Sequence, residues 1–193
     1  MAEHVLAAVL AAGQARRFGG GKLDAPCAGR RLGSWALRTV EQAGLDEAII
    51  VVPPQVPLFA AESGWPLVTN PVAERGLGTS LACAAQTAAD HGAAQLLVLL
   101  ADMPLVDAAL LGRLLASPAP AAIGHGPGRP GVPALLPAST FADLTRLAGD
   151  RGAAGLLRTM PDICLVPAPH AALLDVDDPM ELQQAAMMLQ SHR

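Results

Sequence analysis

Tyrosine is absent from this 193-residue chain, and aromatic residues make up only 3% of it. That removes the stacking platforms on which single-stranded nucleic acid is usually held. Basic surplus is absent too: the formal net charge is −4, so a phosphate-backbone partner is not expected. Charged residues reach just 16% while apolar ones reach 52%, the opposite of the balance that leaves a chain disordered. No apolar run approaches the roughly 18 residues needed to span a bilayer, so no membrane partner is expected. The 3 cysteines, Cys27, Cys83 and Cys164, are odd in number, far apart and in no metal spacing. They read as buried thiols of a cytoplasmic protein. The five histidines show no metal spacing either. Val5 to Ala12 could open a secretory leader, but Glu3 precedes the run and the arginines follow it. A buried first strand is the better reading.

Glycine and proline are plentiful, at 19 and 17 residues, which predicts many turns between short elements. The length suits one domain spanning residues 1–193, large enough to bury roughly 70% of the surface its unfolded form exposes. Continuous apolar runs at 5–11, 48–52 and 95–100 read as strands buried on both faces. Shorter strands are expected at 67–69, 121–123, 134–136 and 163–166. Helices are expected at 34–43 with Ser34 as cap, 80–91, 106–115, 140–148, 152–158 and 179–189, the last capped by Asp177 or Asp178. Residues 12–33 lack periodicity and read as loop. Strand and helix alternate from end to end, which predicts an α/β fold: a mostly parallel sheet with helices on both faces. Ligands in such sheets sit beyond the carboxyl ends of the strands.

Two such strand ends carry chemistry-bearing residues. The first runs Leu10-Ala11-Ala12-Gly13-Gln14-Ala15-Arg16-Arg17-Phe18-Gly19-Gly20-Gly21-Lys22. A glycine-rich turn after a buried strand presents backbone N–H groups to an anion, and Arg16, Arg17 and Lys22 add positive charge. A Walker A loop would need glycine at Arg16 and Ser or Thr at Leu23, and a G-x-G-x-x-G fingerprint fails at Ala15. The bland alternative is a surface loop with solvated charges. The chain holds 12 arginines but one lysine, Lys22. A compact ammonium ion is not interchangeable with a planar guanidinium among phosphate oxygens.

The second is Leu100-Ala101-Asp102-Met103-Pro104. A carboxylate at the end of a buried strand suits Mg²⁺ bridging phosphate oxygens; otherwise it caps a helix or a turn. Asp175-Val176-Asp177-Asp178-Pro179 puts Asp175 and Asp177 on one side of an extended segment, either to join Asp102 at a metal or to cap the last helix. Asn70, Gly78, Thr79 and Ser80 flank a helix start that can hold a base or ribose, or can simply be capped.

On these motifs the chain resembles the MobA-like nucleotidyltransferases, especially the molybdenum cofactor cytidylyltransferases. Leu10-Ala11-Ala12-Gly13, Arg17-Phe18-Gly19 and Lys22 match that family's opening loop, and Leu100 to Pro104 its metal-binding strand end. Gly131-Val132-Pro133-Ala134, Gly149 to Ala153 and Asp175 to Leu182 match three further segments in family order. The resemblance implies a three-layer, Rossmann-like (GT-A-like) nucleotidyltransferase fold. It implies Mg²⁺-dependent transfer of a nucleotidyl group, CMP from CTP in the nearest branch, to molybdopterin, with release of pyrophosphate. By carry-over, Leu10, Ala11, Ala12 and Gly13 hold the nucleotide. Arg17 and Lys22 neutralise phosphate, Asn70 lies near the nucleoside, and Asp102 binds the metal with Asp177, or Asp175 in reserve. A molybdoenzyme or its chaperone is an implied partner. Ala154 departs from the arginine common in the family, and Val132 from a polar residue, so the acceptor contacts differ here. GTP as donor, a sugar- or alcohol-phosphate acceptor, and a non-catalytic cofactor-binding chaperone are the rival readings.

Overall fold

The computed structural model describes residues 4–13, 18–149, 153–160 and 162–191. In chain order the strands are β1 (Val5–Leu10), β2 (Pro26–Cys27), β3 (Arg30–Arg31), β4 (Ala48–Val52), β5 (Leu67–Thr69), β6 (Gln95–Leu100), β7 (Ala121–Gly124), β8 (Pro130–Pro137) and β9 (Cys164–Val166). The α-helices are α1 (Ser34–Gln42), α2 (Leu58–Ala61), α3 (Leu77–Asp90), α4 (Ala108–Leu115), α5 (Phe141–Leu144), α6 (Ala153–Leu157) and α7 (Pro179–Ser191).

Seven strands form one sheet in the order β5-β4-β1-β6-β8-β7-β9. All run parallel except β8, which is antiparallel to both β6 and β7. The apolar runs of β1, β4 and β6 have no polar face because helices cover both sides. Ala7, Val9, Ile50, Leu97 and Leu99 pack toward α1, α4 and α7. Leu6, Ala8, Leu10, Ile49, Leu96 and Val98 pack toward α3, α5 and α6. This is the expected three-layer, Rossmann-like fold, and nearly every strand lies where hydrophobic patterning put it. Among the described residues, no helix is long and apolar enough to cross a membrane.

The differences are local. Residues 12–33 are not plain loop: they include a 3-10 turn at Lys22–Asp24 and the β2–β3 hairpin. Its turn residues Ala28 and Gly29 both have positive φ (49° and 85°), as a two-residue hairpin turn of this hand requires. Ser34 is not a cap but the first helical residue, and Gly33 precedes it. The reason is that Gly33 N–H already bonds Leu23 O, so the chain enters α1 from the hairpin. Helix α3 begins at Leu77, three residues earlier than periodicity suggested, and β8, at 8 residues, is more than twice as long as the strand expected at 134–136. Asp178 is the cap of α7: its Oδ1 accepts from Met180 N and Glu181 N at 2.8 and 2.9 Å. Glu181 Oε2 accepts in return from Asp177 N and Asp178 N at 2.6 and 3.1 Å, completing a capping box.

Gly33 is needed for space. A Cβ there would meet the Phe59 ring at 2.7 Å. Gly33→Ala must push that buried ring aside, and we expect a loss of about 1–3 kcal/mol, read as a lower denaturation midpoint in urea. An unchanged midpoint would show that the Phe59 packing is slack.

Candidate active site

The carboxyl ends of β6, β1 and β4 are laced together. Ala101 N–H bonds Leu10 O at 3.0 Å, and Ala11 N–H bonds Val51 O at 2.8 Å. Chain leaving β1 therefore starts beside chain leaving β6. Gly19, Gly20 and Gly21 all have positive φ, at 81°, 99° and 63°. Only glycine adopts three such conformations in a row cheaply. That turn delivers Lys22 back toward the strand ends.

Lys22 is buried, with 5% of its surface exposed. Its Nζ lies 2.8 Å from Asp102 Oδ2 and 3.2 Å from Asp177 Oδ1, and it donates to Val176 O at 2.7 Å. The Asp175–Asp178 segment is pinned over Asp102 by a bond from Val176 N to Asp102 O at 3.0 Å. Burial works to lower the ammonium's pKa. The charges of Asp102, Asp177 and Asp175 outweigh it and hold Lys22 above the usual lysine value. The Asp175 carboxyl is pushed up to about 7, first by its own burial and second by the charge of Asp102. Three carboxylates thus share one ammonium. Asp102 Oδ1 is buried and has no hydrogen-bond partner, an orphaned acceptor that asks for a cation. Among the described residues no three ligand side chains converge as a ready-made metal cage. Lys22 Nζ stands at the point between Asp102 and Asp177.

A cavity of about 720 Å³ opens at Lys22. Residues 11–13 and 20–24 form one wall and residues 53–57 the other, with Ala73 and Glu74 at the edge. Its volume falls in the range of small-ligand pockets. The two walls are tied by Asp24, whose carboxylate accepts from Leu58 N at 2.9 Å and Phe59 N at 2.7 Å.

Of the residues expected at the site, Ala11, Ala12, Gly13 and Lys22 line this cavity, and Asp102 and Asp177 meet at Lys22. Leu10 lies one residue behind, buried at the end of β1. Arg17, with Arg16, lies outside the described residues, as do residues 150–152. Asn70, Thr79 and Ser80 come together with one another rather than with Lys22. Asn70 Nδ2 donates to Thr79 Oγ1 at 2.8 Å and Ser80 Oγ at 2.9 Å, and its Oδ1 accepts from Val72 N at 3.1 Å. Gly78 N–H bonds Gly149 O at 3.0 Å. These four frame the turn that carries Ala73 and Glu74 to the cavity edge. Sequence reasoning missed Asp24, the Val176 carbonyl and the proline-rich wall at 53–57. The adjacent prolines at 53 and 54, directly beyond a buried strand, were the one signal available.

The MobA-like NTP transferase domain matches residues 7–163. The chain belongs to that family. It is 30% identical over 169 residues to the purine catabolism protein PucB of Bacillus subtilis, covering 81% of this chain and 82% of that protein. Rv0371c of Mycobacterium tuberculosis superposes with a TM-score of 0.80 at 25% identity, over 97% of this chain and 99% of the other. A manganese complex of Rv0371c superposes with a TM-score of 0.73 at 23% identity, over 95% and 98%. A nucleotidyl transferase from Methanothermobacter gives a TM-score of 0.85 at 22% identity, over 98% and 99%. In this MobA-like nucleotidyltransferase, Lys22 and Asp102 meet beyond the carboxyl ends of β1 and β6.

Proposed function

We propose that this nucleotidyltransferase is Mg²⁺-dependent and cytoplasmic, and that it transfers CMP from CTP to a phosphorylated acceptor, molybdopterin, releasing pyrophosphate. The observation that carries the reading is that Lys22, which lines the cavity of about 720 Å³, has its Nζ held against both Asp102 and Asp177.

Asp102 and Asp177, with Asp175 in reserve, are the residues that would hold the divalent ion. The surplus of carboxylates over Lys22 and the orphaned Asp102 Oδ1 fit one. When bound, such an ion supplies charge neutralisation at phosphate oxygens. The manganese complex of Rv0371c points the same way. Lys22, which lines the adjoining cavity, is the cation assigned to the triphosphate. The backbone of residues 11–13 holds the nucleotide, and Arg17 is assigned to the phosphates. An oxygen of the acceptor phosphate attacks the α-phosphorus. The bond from that phosphorus to the bridging oxygen breaks, and pyrophosphate leaves with the electron pair. The attacking oxygen is already anionic, so no side chain needs to remove a proton. Positioning and charge neutralisation carry such transfers. Asn70, Gly78, Thr79 and Ser80 act on the nucleoside end through the turn they brace. The methyl of Ala12, which lines the cavity, narrows it in favour of a pyrimidine.

Pyrophosphate release measured over all four NTPs, with molybdopterin and a panel of sugar phosphates, tests the reading. CTP with molybdopterin is expected to turn over fastest. A preference for GTP overturns the base assignment, and turnover with a sugar phosphate but not molybdopterin overturns the acceptor.

A further inference from the structure

The sheet order divides the site into two halves. The cavity that suits the nucleotide lies over β1 and β4, on one side of Asp102. A group attacking the α-phosphorus in line with the departing pyrophosphate enters from the other side, over β8 and β7. There the antiparallel strand β8 matters. Its pairing with β6 ends at Val98–Ala134, and residues 130–133 run on past that pair toward the end where Asp102 stands. The β7–β8 hairpin tip therefore projects at the carboxyl end of the sheet, on the side of β6 away from the nucleotide cavity.

That tip is a built structure. His125 N–H bonds Arg129 O at 2.8 Å and Arg129 N–H bonds Gly126 O at 3.1 Å. The pairing of β7 with β8 slips between Ala122 and Ile123, setting Ile123 opposite Gly131. The His125 ring lies against Gly131, so closely that a Cβ at Gly131 would clash with its Cδ2–Nε2 edge. His125 Nε2 lies 3.1 Å from Val132 O, and since a carbonyl only accepts, Nε2 is the protonated nitrogen. In the neutral ring Nδ1 is then an acceptor. Ile123 and Leu135 pack on the sheet face that also buries Val176, between Asp175 and Asp177, and alternation places His125 on that same face. Arg129 is exposed, and its guanidinium makes no ion pair among the described residues. An unpaired guanidinium is suited to bidentate contact with a phosphate.

We propose that His125 and Arg129 bind the phosphorylated acceptor: Arg129 takes its phosphate, and the ring fixed against Gly131 offers Nδ1 to an N–H or O–H group of the same molecule. This rests on the group-transfer reading above and names the residues that select its second substrate.

The test is steady-state pyrophosphate release by the full chain, with CTP saturating and molybdopterin varied. Arg129→Gln, His125→Phe and Gly131→Ala are each expected to raise the acceptor KM about tenfold or more, with the CTP KM within twofold. Arg129→Lys is expected to recover part of the loss. An acceptor KM unchanged in Arg129→Gln, or a CTP KM raised as much as the acceptor KM, overturns the proposal. If molybdopterin is not a substrate, the acceptor named above fails by itself. Line broadening of inorganic phosphate in ³¹P NMR then decides the residues: broadening by the unaltered chain that is lost in Arg129→Gln upholds the proposal, and equal broadening by both overturns it.

Discussion

Lys22→Ala is expected to cut turnover about a hundredfold or more, the scale on which removal of one fixed charge stabiliser acts. The variant does two things at once. It removes a cation from the lining of the cavity proposed for the nucleotide, and it leaves Asp102 and Asp177 without the ammonium that lies 2.8 and 3.2 Å from them. The second effect is one of stability: without metal, the variant is expected to melt below the unaltered chain, because like charges are left together. Added Mg²⁺ restores the melting temperature, since a divalent ion satisfies the carboxylates, yet leaves turnover low. Those two readings separate a structural lysine from a working one. Melting and turnover that recover together would make Lys22 a mere placeholder for the metal, and a turnover loss under threefold would remove it from the machinery. Lys22→Arg keeps the charge and is expected to regain little, because a forked, planar group does not fit the point at which three oxygens meet one ammonium.

Asp102→Asn is the second large effect. The amide keeps the shape and loses the charge, so Lys22 stays buried while the proposed divalent ion loses the carboxylate assigned to it. Turnover is expected to fall about a hundredfold or more, with the residual activity saturating only at much higher Mg²⁺. A stopped-flow measurement of pyrophosphate release across Mg²⁺ concentration reads both. The same variant carries a signature in metal-free protein. The charge of Asp102 is the second cause that pushes the Asp175 carboxyl up to about 7. Removing it moves the Asp175 titration to lower pH, while the first cause, burial, still keeps it above the ordinary value of 3.8. The pH window for this change therefore lies between 3.8 and about 7, and carboxyl ¹³C NMR follows it. A titration that does not move would show that Asp102 and Asp175 do not sense each other.

Much of this was legible in the chain itself, for a physical reason. Strands buried on both faces must be apolar without interruption, so β1, β4 and β6 announce themselves. A lone lysine in an arginine-rich chain, after three glycines, and an aspartate directly beyond a buried strand, are local signals. What stayed hidden is non-local or conformational. Lys22 and Val176 are 154 positions apart, and Asp24 and Phe59 are 35 apart. Nothing in either neighbourhood shows the other. Asn70, Thr79 and Ser80 were visible as small polar residues at a helix start. Only the structure shows that their polar atoms are spent on one another. The length of β8 was hidden because its first half, Pro130-Gly131-Val132-Pro133, has the composition of a turn. It is held as strand by its neighbours rather than by its own propensity.

The Asp24 clamp has an implication for anyone redesigning donor choice. One carboxylate joins the segment that aims the ammonium to the segment that forms the opposite, proline-rich wall. The two behave as a single jaw, and neither can be exchanged alone without misaligning the other. A chimera that imports a relative's glycine turn into this scaffold would have to carry that relative's 53–59 stretch as well, whereas the hairpin beyond β6 could be swapped as a separate cassette.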